Sequence, residues 1–320
     1  MSSLAIIQQN VARYGLSTLL VLGNVGNIFT IFILSRSVKQ KVNSCSLYLL
    51  SASISNWIVI NTALISNIIG VDHIDPQHTS NIICKIRWSG THALLMLSRS
   101  FMIAACIDRW ALCSRNATIR SFSRPHQAIR LIIILIIVWT IIPIHMVIFF
   151  NNTSGRCIAT PGVYALFYAI YSLFIIGIIP LLLMIVFSMR AWHNLRLART
   201  RIAQAGTNNV KIAKRDRDLM KMLSGEVFVY CLTTIPYPIN LIYSVSTNSI
   251  AAFKSPERKA IESLVGYIVS PLLNFMYCCA QFYVYATCSR KFRKDFLSLF
   301  RQQPQEINQS VQNTLPTTRN

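Results

Sequence analysis

The chain has 320 residues, of which 53% are hydrophobic and only 13% are charged, yet its formal net charge is +21. A soluble domain of average composition is about 25% charged, so this chain has too few charges to cover the surface of a soluble globule. The high apolar content excludes a disordered chain. The composition predicts a membrane protein whose basic residues lie mainly on one side.

Seven stretches are apolar and long enough to cross a bilayer, which takes about 20 residues each. They cover residues 15–34, 46–69, 86–107, 130–150, 163–189, 222–245 and 263–287. Because backbone groups in a membrane must be hydrogen-bonded internally, these stretches predict an all-α bundle of seven transmembrane helices.

A short amphipathic helix is predicted after the last span. Phe292, Phe296 and Phe300 recur every four residues with basic side chains between them. Such a helix suits the inner leaflet, where it would contact membrane lipids. The chain is thus divided into an extracellular amino end, a transmembrane domain, the amphipathic helix and a disordered cytoplasmic tail, at residues 1–12, 13–289, 290–300 and 301–320.

The distribution of Lys and Arg predicts the orientation of the spans. If the amino end lies outside, the inner segments contain 23 of these residues, and the outer segments and span ends contain 7. Inner loops of membrane proteins are enriched in positive charge. The amino end is therefore predicted to be extracellular and the carboxyl end cytoplasmic.

Two of the nine cysteines, Cys84 and Cys157, lie at the predicted outer face, where oxidation is possible. A disulfide between them would join the outer end of the third span to the loop after the fourth. Two free thiols are the alternative. The same loop contains two overlapping N-glycosylation sequons, at Asn151 and Asn152, although sequons this near a membrane are often unmodified.

Several short motifs fall at characteristic places in the spans. They are Gly26-Asn27, Asp108-Arg109-Trp110, Trp139, Pro180 and Pro236. Cys84 precedes Arg109 by 25 residues. In these motifs and their spacing the chain resembles a divergent rhodopsin-like (class A) G-protein-coupled receptor over about residues 12–300.

The resemblance implies a receptor in the plasma membrane that transmits the binding of an extracellular ligand to a heterotrimeric G protein. It assigns coupling and switching roles to Asp108, Arg109, Trp110, Asp216, Pro236 and Tyr285. In the family, an acid twenty residues before the sixth-span proline pairs with the arginine and holds the receptor closed. Asp216 occupies that position and is the candidate latch; the alternative is a solvated charge in a basic loop.

The chain departs from the family pattern in several spans. Asn56 replaces the aspartate of the second span, and Thr234 replaces the tryptophan of the sixth. In the seventh span, the family's Asn-Pro-x-x-Tyr motif is replaced by Gln281–Tyr285, which keeps only the tyrosine. Two ionisable residues, Arg99 and Glu226, lie deep in the third and sixth spans, where such groups are rare and usually paired. We predict a buried ion pair between them; separate solvation by internal water is the alternative.

Candidate pocket residues come from the outer halves of the spans. They are Trp88, Thr91, His92, Thr234, Tyr237, Asn240 and Phe275. Thr91 stands where amine receptors have an aspartate, and Phe275 stands where light receptors have the lysine that binds retinal. These two substitutions disfavour an amine or a retinal ligand, and a neuropeptide-like ligand is favoured from the resemblance to peptide receptors.

Other functions are less compatible with the sequence. A seven-span transporter or channel would be expected to show internal repeats, which are absent, and a receptor relative that does not signal is a further alternative. No paired metal-ligand spacing, phosphate-binding loop or nucleophile motif occurs, so we expect neither an enzyme nor a bound metal or cofactor. Nucleic-acid binding is disfavoured because the basic residues flank membrane spans.

Overall fold

The computed structural model describes residues 3–40, 42–153, 156–204 and 210–300, and this part of the chain is almost entirely helical. Seven helices are long and apolar enough to cross a membrane, so the predicted seven-helix bundle of a multi-pass membrane protein is confirmed. They are α1 (Ser3–Gln40), α2 (Ser44–Asp72), α3 (Asn81–Leu112), α4 (Pro125–Phe149), α5 (Val163–Leu197), α6 (Asp216–Ser246) and α7 (Pro256–Cys288). An eighth helix, α8, comprises Arg290–Phe300.

The helices extend beyond the apolar stretches that predicted them. The first begins at Ser3, and the backbone helix of α5 continues to Gln204. At the start of α7, the Ser255 hydroxyl accepts a hydrogen bond from the backbone N–H of Arg258 at 3.2 Å. Because such caps satisfy the free N–H groups of a first turn, polar residues can begin a helix that a hydropathy window does not detect.

Irregular turns or breaks interrupt six of the seven spans. Wider π-helical turns occur at Val11–Gly15, Ile60–Leu64, Ser172–Ile178 and Ile268–Leu273. In α4 the helix is broken between Ile141 and Ile144, and in α6 it is broken between Thr234 and Pro236. A proline lies in the first break (Pro143) and directly after the second (Pro236), and proline has no N–H to donate to the preceding turn. Short helical segments connect the spans at Pro76–Thr79, Ala117–Arg120 and Asn248–Phe253.

The most buried helix is α3, which passes through the centre of the bundle. In its most apolar part 67% of the residues are buried, against 17% in α4. Exposed isoleucines such as Ile133, Ile134 and Ile137 cover α4. Since lipid is the solvent for such a surface, α4 is peripheral and α3 is the helix best placed to carry buried functional groups.

The two ends of the bundle differ in structure. At one end Cys84, in the first turn of α3, forms a disulfide with Cys157, and their Cα atoms are 5.6 Å apart. The predicted disulfide is therefore confirmed, and we call this end the disulfide end. Cys157 lies in a hairpin of two antiparallel strands, β1 (Phe150–Thr153) and β2 (Arg156–Ala159), between α4 and α5. The opposite end, where α3 carries Arg109, is called the arginine end.

The amphipathic helix α8 packs against the arginine end of α1 and α7. Phe292 is buried, and the ring of Phe296 lies 5.1 Å from that of Phe29 and 5.3 Å from that of Phe282. Phe300, at the end of α8, is 65% exposed. One side of α8 is therefore part of the protein core.

Candidate functional site

The disulfide end contains a cavity of about 250 Å³ between α2, α3, α5, α6 and α7, which we call the deep cavity. One face of α3 forms its wall, because Trp88, Thr91, Leu95 and Arg99 are three or four residues apart. The helical rise places Arg99 about 16 Å deeper in the bundle than Trp88. Arg99 therefore lies at the floor of the cavity.

A second cavity of about 580 Å³, the shallow cavity, lies under the β-hairpin and between α5 and α6. The two cavities share four lining residues, Trp88, Tyr168, Tyr237 and Ser270, which we call the waist. The hydroxyls of Tyr168 and Tyr237 are 3.4 Å apart, and the ring of Trp88 stacks on that of Phe150 at 5.3 Å. The two cavities thus adjoin at a boundary formed largely by aromatic rings.

Most of the predicted pocket residues line these cavities. Trp88, Thr91, His92, Tyr237 and Phe275 line the deep cavity, and Asn240 lines the shallow one. Thr234 lines neither. It is fully buried at the break in α6, and its hydroxyl has no hydrogen-bond partner. The structure does not place Thr234 in the pocket, because its side chain is fully enclosed by neighbouring groups and reaches neither cavity.

Arg87 in the wall of the deep cavity forms an ion pair that the sequence did not reveal. Arg87 Nη1 donates to Asp75 at 2.7 Å, and its Nη2 donates to the carbonyl of Ala63 and the amide oxygen of Asn67, both at 3.2 Å. Asp75 is buried although it lies in the loop between α2 and α3. Residues from two helices and a loop meet here, so spacing along the chain gave no signal for the pair.

Arg99 is almost fully buried and contacts uncharged groups. Its Nη2 donates to Asn274 Oδ1 at 2.8 Å, its Nη1 contacts the sulfur of Met96 at 3.5 Å, and its guanidinium carbon lies 5.5 Å from the ring centroid of Tyr230. Its Nε has no hydrogen-bond partner. Among the described residues, no carboxylate forms an ion pair with Arg99.

The predicted ion pair between Arg99 and Glu226 is therefore not present. Arg99 contacts Tyr230, which is one helical turn nearer the disulfide end than Glu226. Glu226 is 2% exposed, and its Oε1 atom has no hydrogen-bond partner. The prediction failed because it assumed that the two residues lie at equal depth.

A network of uncharged polar groups occupies the centre of the bundle. The amide oxygen of Gln281 accepts hydrogen bonds from Ser53 and Asn56, both at 3.1 Å, and its amide nitrogen donates to the Tyr285 hydroxyl at 2.8 Å. Nearby, the Asn27 amide donates to the carbonyl of Cys278 at 3.0 Å. Gln281 thus joins α2 to α7 at positions where the chain departs from the family pattern.

At the arginine end, Arg109 is buried between two carboxylates. Its Nε and Nη2 donate to Asp108 Oδ2 at 3.0 and 2.5 Å, and its Nη1 donates to Asp216 Oδ1 at 3.0 Å. Nη2 also donates to Asn43 Oδ1 at 3.1 Å, and Ser123 donates to the other Asp108 oxygen at 2.7 Å. The structure therefore brings Arg109 of α3 into contact with Asp216 of α6, the candidate latch.

The other predicted coupling residues lie around this cluster. The ring of Trp110 contacts that of Phe187 on α5, at 5.3 Å between centroids. Pro236 begins the second segment of α6. Tyr285 is buried and reaches towards the sulfur of Met102 on α3, at 4.0 Å. These residues lie at the interfaces of α3 with its neighbours and at the break in α6.

A small cavity of about 100 Å³ lies beside the Arg109 cluster. Asp218, Lys291 and Asp295 line it, and Asp218 is buried. Burial raises the pKa of the Asp295 carboxyl, while Lys291 and Arg36 act to lower it. This cavity connects α6 with α8 at the arginine end.

Both sequon asparagines, Asn151 and Asn152, lie in strand β1. The Asn152 amide donates to the carbonyl of His78, and the Asn151 amide donates to Thr160 Oγ1 at 3.2 Å. Within the described residues, no three His, Cys, Asp or Glu side chains are grouped to hold a metal ion.

A seven-helix membrane bundle with a cavity at one end and a buried arginine–carboxylate cluster at the other has the architecture of a seven-transmembrane receptor. The model of the family described as 7 transmembrane receptor (rhodopsin family) matches residues 26–285. The match covers most of the chain, which therefore belongs to this family, as the sequence motifs predicted. A search of curated proteins finds no match to the chain.

Proposed function

We propose that this chain is a plasma-membrane receptor that binds an extracellular ligand at the disulfide end and signals to a heterotrimeric G protein at the arginine end. One observation carries the proposal: the cavities and the Arg109 cluster lie at opposite ends of the same central helix, α3. A change at one end can therefore be transmitted along α3 and through the helices that pack on it.

The disulfide end supports the ligand-binding part of the proposal. The two cavities have aromatic walls with a few polar groups, the usual character of a ligand site. Amides such as Asn240 and hydroxyls such as Tyr267 can bind a peptide backbone, while rings such as Trp88 can pack against its side chains. We favour a neuropeptide-like ligand, and the proposed activity is binding and signalling without an enzymatic step.

The arginine end supports the coupling part. The contact between Arg109 and Asp216 joins α3 to α6, so breaking it would free the end of α6 to move outward. That movement would expose Arg109 and the basic residues of segment 190–221 to a G protein. The contact is thus proposed to hold the inactive state.

The proposal includes the orientation and the division of the chain. The amino end and the hairpin would be extracellular, with glycans at Asn151 or Asn152, and α8 would lie on the lipids of the inner leaflet. We retain residues 1–12 as the amino end and 13–289 as the receptor domain. The proposed cytoplasmic tail, 301–320, lies outside the described residues.

The proposal can be tested by screening a peptide library against cells that express the chain, with G-protein activation as the readout. We expect at least one peptide to activate a G protein through the wild type. Arg109→Ala should abolish the response at unchanged surface expression, because the buried charge of the switch is lost. Arg115→Ala, an exposed arginine near the same end, is the matched control and should respond normally.

Ligand-induced current or uptake that does not depend on a G protein would instead support a transporter or channel. A full response from Arg109→Ala would contradict the proposed coupling site. Peptide binding without any G-protein response would indicate a receptor relative that does not signal.

A further inference from the structure

The charges that line the deep cavity are unbalanced. Arg87 and Arg99 line it, and no acidic residue does among the described residues. Arg87 has a countercharge, because it forms an ion pair with Asp75 just outside the lining. Arg99 has none, so its positive charge is the one that the surroundings of the cavity leave uncompensated.

The contacts of Arg99 leave room for a further acceptor. Its side chain is 1% exposed, yet it satisfies one nitrogen with a neutral amide, a second with a weakly accepting thioether, and leaves Nε without a partner. A buried charge without an opposite charge is strongly disfavoured in a membrane protein. An anion beside Arg99 would relieve that cost.

A carboxylate is the anion that best matches this group. The guanidinium presents its N–H groups as a planar fork that fits two carboxylate oxygens, and a charge-assisted pair of this kind is stronger than a neutral hydrogen bond. The carboxyl of Glu226 does not fulfil this role, because it lies one turn deeper, beyond Tyr230. The cavity is therefore open to an acid that comes from outside the chain.

We propose that Arg99 binds a carboxylate of the ligand, which occupies the deep cavity with its acidic end at the floor. This proposal rests on the proposed function of the disulfide end as a ligand site. The carboxyl group of a peptide and that of a small organic acid share this chemistry. The Tyr267 hydroxyl, which lines the same cavity and has no partner, can bind a second polar group of the ligand.

The test compares two probes that differ only in charge, N-acetylphenylalanine and its neutral amide, and a third, hexanoate, that is an acid without a peptide group. Thermal unfolding of the purified full chain is measured with each probe at about 10 mM, a concentration that detects millimolar binding. We expect N-acetylphenylalanine to raise the midpoint by about 2 °C and its amide to leave it unchanged. A rise with hexanoate as well would identify the carboxylate alone as sufficient, whereas a rise with the peptide acid only would identify a peptide source.

Variants assign the effect to Arg99. In Arg99→Gln, which keeps a polar amide but removes the charge, the rise with N-acetylphenylalanine should be lost. In Arg258→Gln, which removes an arginine at the disulfide end outside the cavity lining, the rise should remain. If Arg99→Gln does not fold, equal rises with acid and amide on the wild type still overturn the proposal, because that comparison needs no variant.

Three results would overturn the carboxylate site: equal rises with acid and amide, no rise with either carboxylate, or a rise that persists in Arg99→Gln. The G-protein assay separates this outcome from failure of the proposed function. If the acid binds selectively but no G protein is activated, only the proposed signalling role is contradicted. If neutral ligands alone activate the G protein, only the proposed carboxylate site is contradicted.

Discussion

Two arginines on α3 show how the surroundings of a residue determine its role. Arg109 and Arg99 are both 1% exposed. Arg109 contacts Asp108 and Asp216, whereas Arg99 contacts an amide, a thioether and an aromatic ring. The charge of Arg109 is therefore neutralised by carboxylates of its own chain. Removing Asp216 would weaken the contact between α3 and α6.

The first prediction concerns the contact between Arg109 and Asp216. Asp216→Asn removes the charge of the acceptor, and a hydrogen bond between charged groups contributes about 1.5–3 kcal/mol. If the contact stabilises the inactive state, the variant should shift the equilibrium from the inactive to the active state. Basal G-protein activation should then rise about tenfold. Basal activity is measured without ligand and normalised to surface expression.

Asp218→Asn is the matched control for this prediction. Asp218 is also buried near the start of α6, but it lies in the small cavity and forms no ion pair with Arg109. Its basal activity should stay near that of the wild type. Equal basal activity in Asp216→Asn and the wild type would show that Asp216 is no latch.

The sequence predicted one of these contacts and not the other, for a physical reason. The distance of Asp216 from Pro236 along one helix fixed its position relative to the family motif, and the contact with Arg109 is present. Pairing Arg99 with Glu226 required the relative depth of two helices. Side-chain spacing within a helix does not determine that depth, since packing and the break in α6 set it.

At the scale of elements, α8 is held to the bundle by one face. Phe292 is 4% exposed and contacts the rings of Phe282 and Tyr285, whereas Phe300 is 65% exposed. The recurrence of phenylalanine every four residues predicted an amphipathic helix. It could not show which of the rings pack on α7 and which face outward, because that depends on where the helix docks.

The second prediction uses this difference between two rings of the same helix. Phe292→Ala should destabilise the protein by about 3–5 kcal/mol, because it removes a buried ring from the junction of α7 and α8. Phe300→Ala should have little effect, because its ring is already largely exposed. Thermal unfolding in detergent gives both values, and equal shifts in the two variants would contradict the packing of α8.

At the scale of the whole molecule, the bundle is asymmetric in charge and in structure. The predicted inner segments contain 23 basic residues and the outer ones 7, and the disulfide lies at the end with fewer. Span number and disulfide were predictable, because they depend on local hydropathy and on few candidate cysteines. The cavities were only partly predictable, since five helices and a hairpin contribute to them.

The third prediction concerns the orientation of the chain. An epitope tag before Ser3 should bind antibody on intact cells, and a tag after Phe300 should bind only after permeabilisation, because positive segments remain in the cytoplasm. Treatment with a glycosidase should also increase electrophoretic mobility, and the double variant Asn151→Gln/Asn152→Gln should abolish that change. Antibody access to the carboxyl-terminal tag on intact cells would reverse the proposed topology.

The waist between the two cavities has a consequence for the rate of exchange. A molecule in the deep cavity can leave towards the shallow one past Trp88, Tyr168 and Tyr237, and the hydroxyls of the two tyrosines lie within hydrogen-bonding distance of each other. Departure by this route would disrupt the contact between the two hydroxyls. We expect a ligand in the deep cavity to have a lower dissociation rate than a ligand of equal Kd at an open site. Its residence time would then be correspondingly longer.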